Sequence, residues 1–152
     1  MKAVILGSFR KHYKNILAII NIFEENSIEV LSPKKSSVID ENVDFVILNS
    51  DNPSLSEIEI QYEVFRNVSK SDFVYVCNPD GYVGKTVCYE LGVLTGLGIK
   101  NIYFKEYPND LPIYVPNNSV WSIEMLIKYI KNQDGLPIVE YDDKLNIKNL
   151  VV

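Results

Sequence analysis

The chain has 152 residues, 47% of them hydrophobic and 23% charged, which suits one well-buried core and is too short for two ordinary domains; a single domain over residues 1–152 is expected. A formal net charge of −5 argues against a broad nucleic-acid surface, which needs clustered Lys and Arg, but leaves room for a small anionic ligand at a local basic spot. Two cysteines, Cys77 and Cys88, and one histidine, His12, cannot complete a zinc ligand set, and carboxylate clusters with ligand spacing are missing, so neither a metal nor a cofactor is expected.

From the N-terminus, Ala3 to Leu6 form a short apolar run that ends in Gly7-Ser8. This run is too brief for a signal peptide, and no other approaches the roughly 20 apolar residues that span a bilayer, so a cytoplasmic location is expected. From Phe9 onward the apolar residues Tyr13, Ile16, Leu17, Ile20 and Phe23 recur at three- and four-residue spacing, which predicts an amphipathic helix ending near Asn26. Ile28 to Leu31 reads as a second strand, closed by Ser32-Pro33, and Phe45 to Leu48 as a third, ending in the turn formers Asn49 to Pro53. Ser54 or Ser56 can cap the following helix, whose apolar stripe is read as Ile58, Tyr62, Phe65 and Val68. Phe73 to Cys77 is apolar on both faces, as a central parallel strand should be. After the loop Asn78 to Gly84 come a helix from about Lys85 to Leu97, a fifth strand over Asn101 to Phe104 and a last helix over Ser119 to Lys131. The tail from Leu136 is expected to hold one or two short extended pieces. Alternating strands and helices predict an α/β, three-layer, flavodoxin- or Rossmann-like fold with five parallel strands. Ligands in such sheets bind beyond the carboxyl ends of the strands, which brings Gly7-Ser8, Asn49 to Asp51 and Asn78 to Gly84 to one edge.

The Gly84-Lys85-Thr86 ending invites a phosphate-loop reading, but the motif's first glycine falls on Pro79, which lacks an N–H. The two glycines are also explained by a tight strand-to-helix turn. Glu90 falls in the second turn of its helix, at the edge of a stripe made by Val87, Leu91 and Leu94. There it is either a partly desolvated carboxylate with a raised pKa, opposed by the helix N-terminus, or an ordinary solvated glutamate. Ser8 and Arg10 suit a phosphate at a helix N-terminus, with Lys85 a further cation, while Arg10 also fits a plain surface charge. Tyr82 either stacks on a base or covers the sheet edge.

The stretch Asp72 to Gly92, with a glycine-bearing loop followed by Glu90-Leu91-Gly92 on a helix, resembles the core of the nucleoside 2-deoxyribosyltransferase superfamily, which includes 2′-deoxynucleoside 5′-phosphate N-hydrolases. Gly7-Ser8-Phe9-Arg10 is similar to the Gly-Ser-x-Arg loop of the N-hydrolases, and the resemblance covers roughly residues 1 to 105. It implies cleavage or transfer at the N-glycosidic bond of a nucleoside or nucleoside monophosphate, with Glu90 as nucleophile and a second acid drawn from Asp80, Glu59 or Glu63. Asp80 is taken as the second catalytic candidate, and Gly7, Ser8, Arg10, Asn78, Gly81, Tyr82 and Gly84 as substrate-binding. Asp72, at the far end of its strand, is read as structural. Transferases of this family carry more acidic residues in the loop, and their C-terminal tail serves a neighbouring subunit; neither feature is matched here. A homodimer or larger homo-oligomer is expected, with Leu150-Val151-Val152 at an interface. Two other functions fit. Val87 to Leu91 resembles, in loose form, the catalytic Cys-x-x-Glu helix of NAD-cleaving TIR domains, and a non-catalytic nucleotide-binding module needs no carboxylate at all.

Overall fold

The computed structural model describes residues 1–36, 48 and 51–142. The expected alternation is present as β1 (Lys2–Gly7), α1 (Phe9–Glu25), β2 (Glu29–Ser32), α2 (Glu57–Val68), β3 (Phe73–Cys77), α3 (Lys85–Gly96), β4 (Ile102–Phe104) and α4 (Ile123–Gln133). The four strands are all parallel, in the order β2-β1-β3-β4. The expected strand at Phe45 to Leu48 and the loop residues Asn49 and Ser50 lie outside the described residues, apart from Leu48, which is buried; the described sheet therefore has four strands, not five.

Period-two alternation along the strands divides the core into two layers. Ala3, Ile5, Phe73, Tyr75 and Tyr103 face α1 and α4, packing on Ile16, Ile20, Phe23 and Leu126. Val4, Leu6, Val74, Val76, Ile102 and Phe104 face the other side, against Val68 of α2 and Val87, Leu91 and Leu94 of α3. Every residue of β3 is buried, which is why it reads as a continuous apolar run. Two buried tyrosines, Tyr75 of β3 and Tyr103 of β4, satisfy their hydroxyls on backbone carbonyls, Tyr75 on Trp121 at 2.9 Å and Tyr103 on Pro137 at 2.6 Å. The Tyr103 bond ties the chain after α4 across the α1 side, where Val139 is also buried.

Two local expectations change, and a third holds. α2 is capped by Ser56 in a reciprocal box with Glu59; of its expected stripe, Phe65 and Val68 pack inward together with Val64, but Ile58 and Tyr62 are exposed. α4 begins at Ile123, with Ser122 as its cap, because Val120 pairs with Phe104 and the Trp121 N–H donates to the Phe104 carbonyl at 2.8 Å, holding this segment extended beside β4. Asp72 accepts the Lys2 N–H at 2.6 Å and fastens the amino ends of β1 and β3, the structural role expected of it. The tail residues Leu150, Val151 and Val152 lie outside the described residues. Among the described residues no helix is long and apolar enough to cross a membrane.

Candidate functional site

The chain leaves β1 for β2 on one side and returns through α2 to β3 on the other, so the strand order reverses between β1 and β3. Loops diverge at the carboxyl ends of these two strands and open a crevice there. A cleft of about 720 Å³ occupies this place, within the range of small-molecule sites. Gly7, Ser8 and Arg10 line it from the first loop, Tyr82 and Gly84 from the loop after β3, and Glu90 from α3. Lys85 and Asp51 also line it, as do Lys34 and Glu63, so both charge signs are represented.

Glu90 is the residue most altered by this placement. Its side chain is carried inward beside Val87, Leu91 and Leu94, and only 7% of the residue is exposed. Burial away from water pushes its carboxyl up to about 7, partly offset by a hydrogen bond from the Gln61 side chain. The desolvation expected from the helical stripe is present, while the opposing influence comes from Gln61 on α2.

Tyr82 is held in place by α1: the Lys11 ammonium sits 3.6 Å from the ring centroid, and His12 meets the ring edge-on at 5.8 Å. Burial, then the neighbouring Lys11 charge, lowers the His12 pKa. Ser8 is the N-cap residue of α1 without a side-chain capping bond, and the first turn of that helix holds no acid, so its N–H end faces the cleft without an internal anion.

Three of the expected site residues stand elsewhere. Asn78, Asp80 and Gly81 do not line the cleft; they form the tight turn beneath the loop. Asn78 is fully buried, donating to the Glu106 carbonyl at 2.7 Å and accepting the Glu106 N–H at 3.1 Å, so its amide continues the β3–β4 pairing past the end of the strands. Asn78→Ala should cost about 2 kcal/mol, because both Glu106 backbone groups lose their partner; a shift in urea midpoint checks it. Gly81 adopts φ +74°, and a Cβ there would come within 2.8 Å of the Tyr107 carbonyl oxygen. Asp80 also has a positive φ, 57°, in this turn, and its carbonyl accepts from the Asn109 amide at 2.8 Å. Of the other acids considered, Glu59 is engaged in the Ser56 box, whereas Glu63 reaches the cleft and pairs with Arg66.

Two residues that sequence reasoning passed over shape the site. The Asp110 carboxylate accepts the Val83 N–H at 2.8 Å and the Gly84 N–H at 3.0 Å, clamping the loop that leads into α3. Its partners are backbone groups 26 and 27 residues away, so no local pattern marks it. Gln61 had a weak signal: it adjoins Ile60 on the side of α2 that carries Val64 and Val68 inward. Comparison with family models, with curated proteins and with solved structures gave no match in any of the three. What the site can do therefore rests on its own chemistry.

Proposed function

We propose that the chain cleaves or transfers at the N-glycosidic bond of a nucleoside or nucleoside monophosphate, with Glu90 as the nucleophile, as the resemblance to the deoxyribosyltransferase superfamily implies. The observation that carries this reading is a buried carboxyl, 7% exposed and the one buried acid among the described residues, at a cleft shared by the first-strand loop and the loop before α3. A carboxylate in such a place stabilises the oxocarbenium-like state of the sugar and can trap it. One Glu90 oxygen forms a bond to C1′ as the C1′–N bond breaks, and its electron pair leaves with the base, which takes up a proton. Water, or an incoming base, then displaces the ester and regenerates the carboxylate.

The other roles follow from the lining. Glu63, rather than Asp80, is the acid suited to orient the sugar or protonate the departing base, since it shares the cleft with Glu90. Ser8, at the open N-terminus of α1, and Arg10 suit the oxygens of a 5′-phosphate. Tyr82, braced by Lys11 and His12, offers a ring for the base to lie against.

The test is incubation with a panel of nucleosides, nucleoside monophosphates and NAD, with chromatography for free base. Release of a nucleobase is the expected result. Release of nicotinamide alone would move the assignment to NAD cleavage, and binding without any product would leave a nucleotide-binding module. The Asp110 clamp supplies a second check: Asp110→Ala should raise KM about tenfold while changing kcat less, because the freed loop must be reordered whenever substrate binds.

A further inference from the structure

α2 and α3 cover the sheet face that carries Val4, Val74 and Val76, and their outer sides are apolar where solvent-facing helices are usually charged. Ile58 and Tyr62 of α2 and Tyr89 of α3 are each between 48% and 57% exposed. The Phe65 ring joins them into one patch, 6.4 Å from Tyr62 and 6.3 Å from Tyr89. α3 extends the patch, since residues 91–99 hold no charged side chain, and Gly92 and Gly96 are exposed. A Cβ on either glycine would meet nothing within 4 Å among the described residues, so packing inside the chain does not call for them. A glycine in a helix interior costs about 1 kcal/mol relative to alanine, and Gly92 stands midway along α3.

We propose that this face is the interface of a homodimer, in which α2 and α3 pack against the same helices of a second copy across a two-fold axis. Charge complementarity selects a second copy as the occupant. α2 carries Glu57 and Glu59 in its first turn and Arg66 in its last, followed by Lys70, with Tyr62 and Phe65 between them. A two-fold axis near Tyr62 sets α2 antiparallel to its counterpart, so each acidic end meets the other's basic end and the rings meet at the centre. Arg66 also pairs with Glu63 of its own helix, yet its side chain remains 68% exposed. Beside this contact, the side-chain-free surface at Gly92 and Gly96 lets the partner's backbone approach closely. The interface is independent of the glycosidic reading of the cleft.

Sedimentation equilibrium of the full chain tests the proposal, and a mass of twice 17.4 kDa is expected for the wild type. Gly92→Leu fills space that is empty in the monomer, so it should stay folded by circular dichroism and sediment as a single chain. Arg66→Glu and Glu59→Lys, each of which sets like charges opposite one another, should both weaken dimerisation about tenfold or more. Glu59→Lys also breaks the Ser56 box, and circular dichroism checks that its helices persist. Mixing the two charge variants should restore the dimer, because each protomer then meets opposite charges at both ends of α2. That recovery belongs to the antiparallel two-fold arrangement and would not follow from a loss of folding. A wild-type mass of one chain at every concentration overturns the proposal and leaves the face to a different protein. A dimer that Gly92→Leu and both charge variants leave intact overturns it equally, since the interface then lies elsewhere.

Discussion

Glu90→Gln should lower base release by about a thousandfold or more while leaving nucleotide binding within a few-fold of wild type. The substitution keeps size and polarity and removes only the nucleophilic oxygen, so its effect belongs to kcat and not to the dissociation constant measured by calorimetry. Wild-type activity carries a matching pH signature. With burial pushing the Glu90 carboxyl up to about 7, the reactive carboxylate is about half populated at neutral pH. Below that point kcat/KM should fall tenfold for each pH unit, on a limb well above that of a solvated glutamate. Unchanged turnover in Glu90→Gln, or a limb near pH 4.5, would remove this carboxyl from the chemistry.

The parts of this architecture that were readable in advance are those set by short-range periodicity. β1, α1 and β3 fall where the apolar spacing placed them, since each element buries a face whose pattern repeats within one or two turns. α2 shows where that logic fails. It carries two overlapping apolar stripes: Val64, Phe65 and Val68 pack toward the sheet, while Ile58 and Tyr62 are exposed and the Tyr62 ring meets Phe65 at 6.4 Å. Periodicity alone cannot rank two such stripes; the sheet does so by the side from which the chain enters. The start of α4 was misplaced for a similar reason, because pairing of Val120 with distant Phe104 outweighs the local helical pattern.

The same division runs through the site. Glu90 was visible because its apolar neighbours Val87, Leu91 and Leu94 dictate how α3 must roll, and a carboxylate beside that stripe is carried inward with it. Asn78 is polar and directly follows a strand, which made it a plausible ligand group, yet its partners are the backbone of Glu106, on a loop that sequence does not align with it. Asp110 and Gln61 act across 26 and 29 residues, respectively, and their meaning appears only once the chain is folded.

Glu90 should also set a stability cost that its removal relieves. The unfolded chain releases this proton near 4.5 and the folded chain near 7, so between these values the folded state binds more protons than the unfolded state. Stability then declines as pH rises through that window and levels off above it, by a total of order 3 kcal/mol. Titration of His12 works in the opposite direction, since burial lowers its pKa and the folded state gains stability as pH rises from that lowered value up to the ordinary histidine value, and none beyond it. The difference between wild type and Glu90→Gln cancels that contribution and isolates the carboxyl. Glu90→Gln, neutral at every pH and still able to bond Gln61, should therefore match wild type near pH 4.5 and exceed it by up to about 3 kcal/mol at pH 8, read from urea melts at both values. A variant that is inactive yet more stable is the mark of a group retained for chemistry, because a carboxyl kept for structure would weaken the fold on removal. Equal or lower stability of Glu90→Gln at pH 8 would mean that the side chain is solvated there, and a solvated side chain would not be the desolvated nucleophile that the cleft requires.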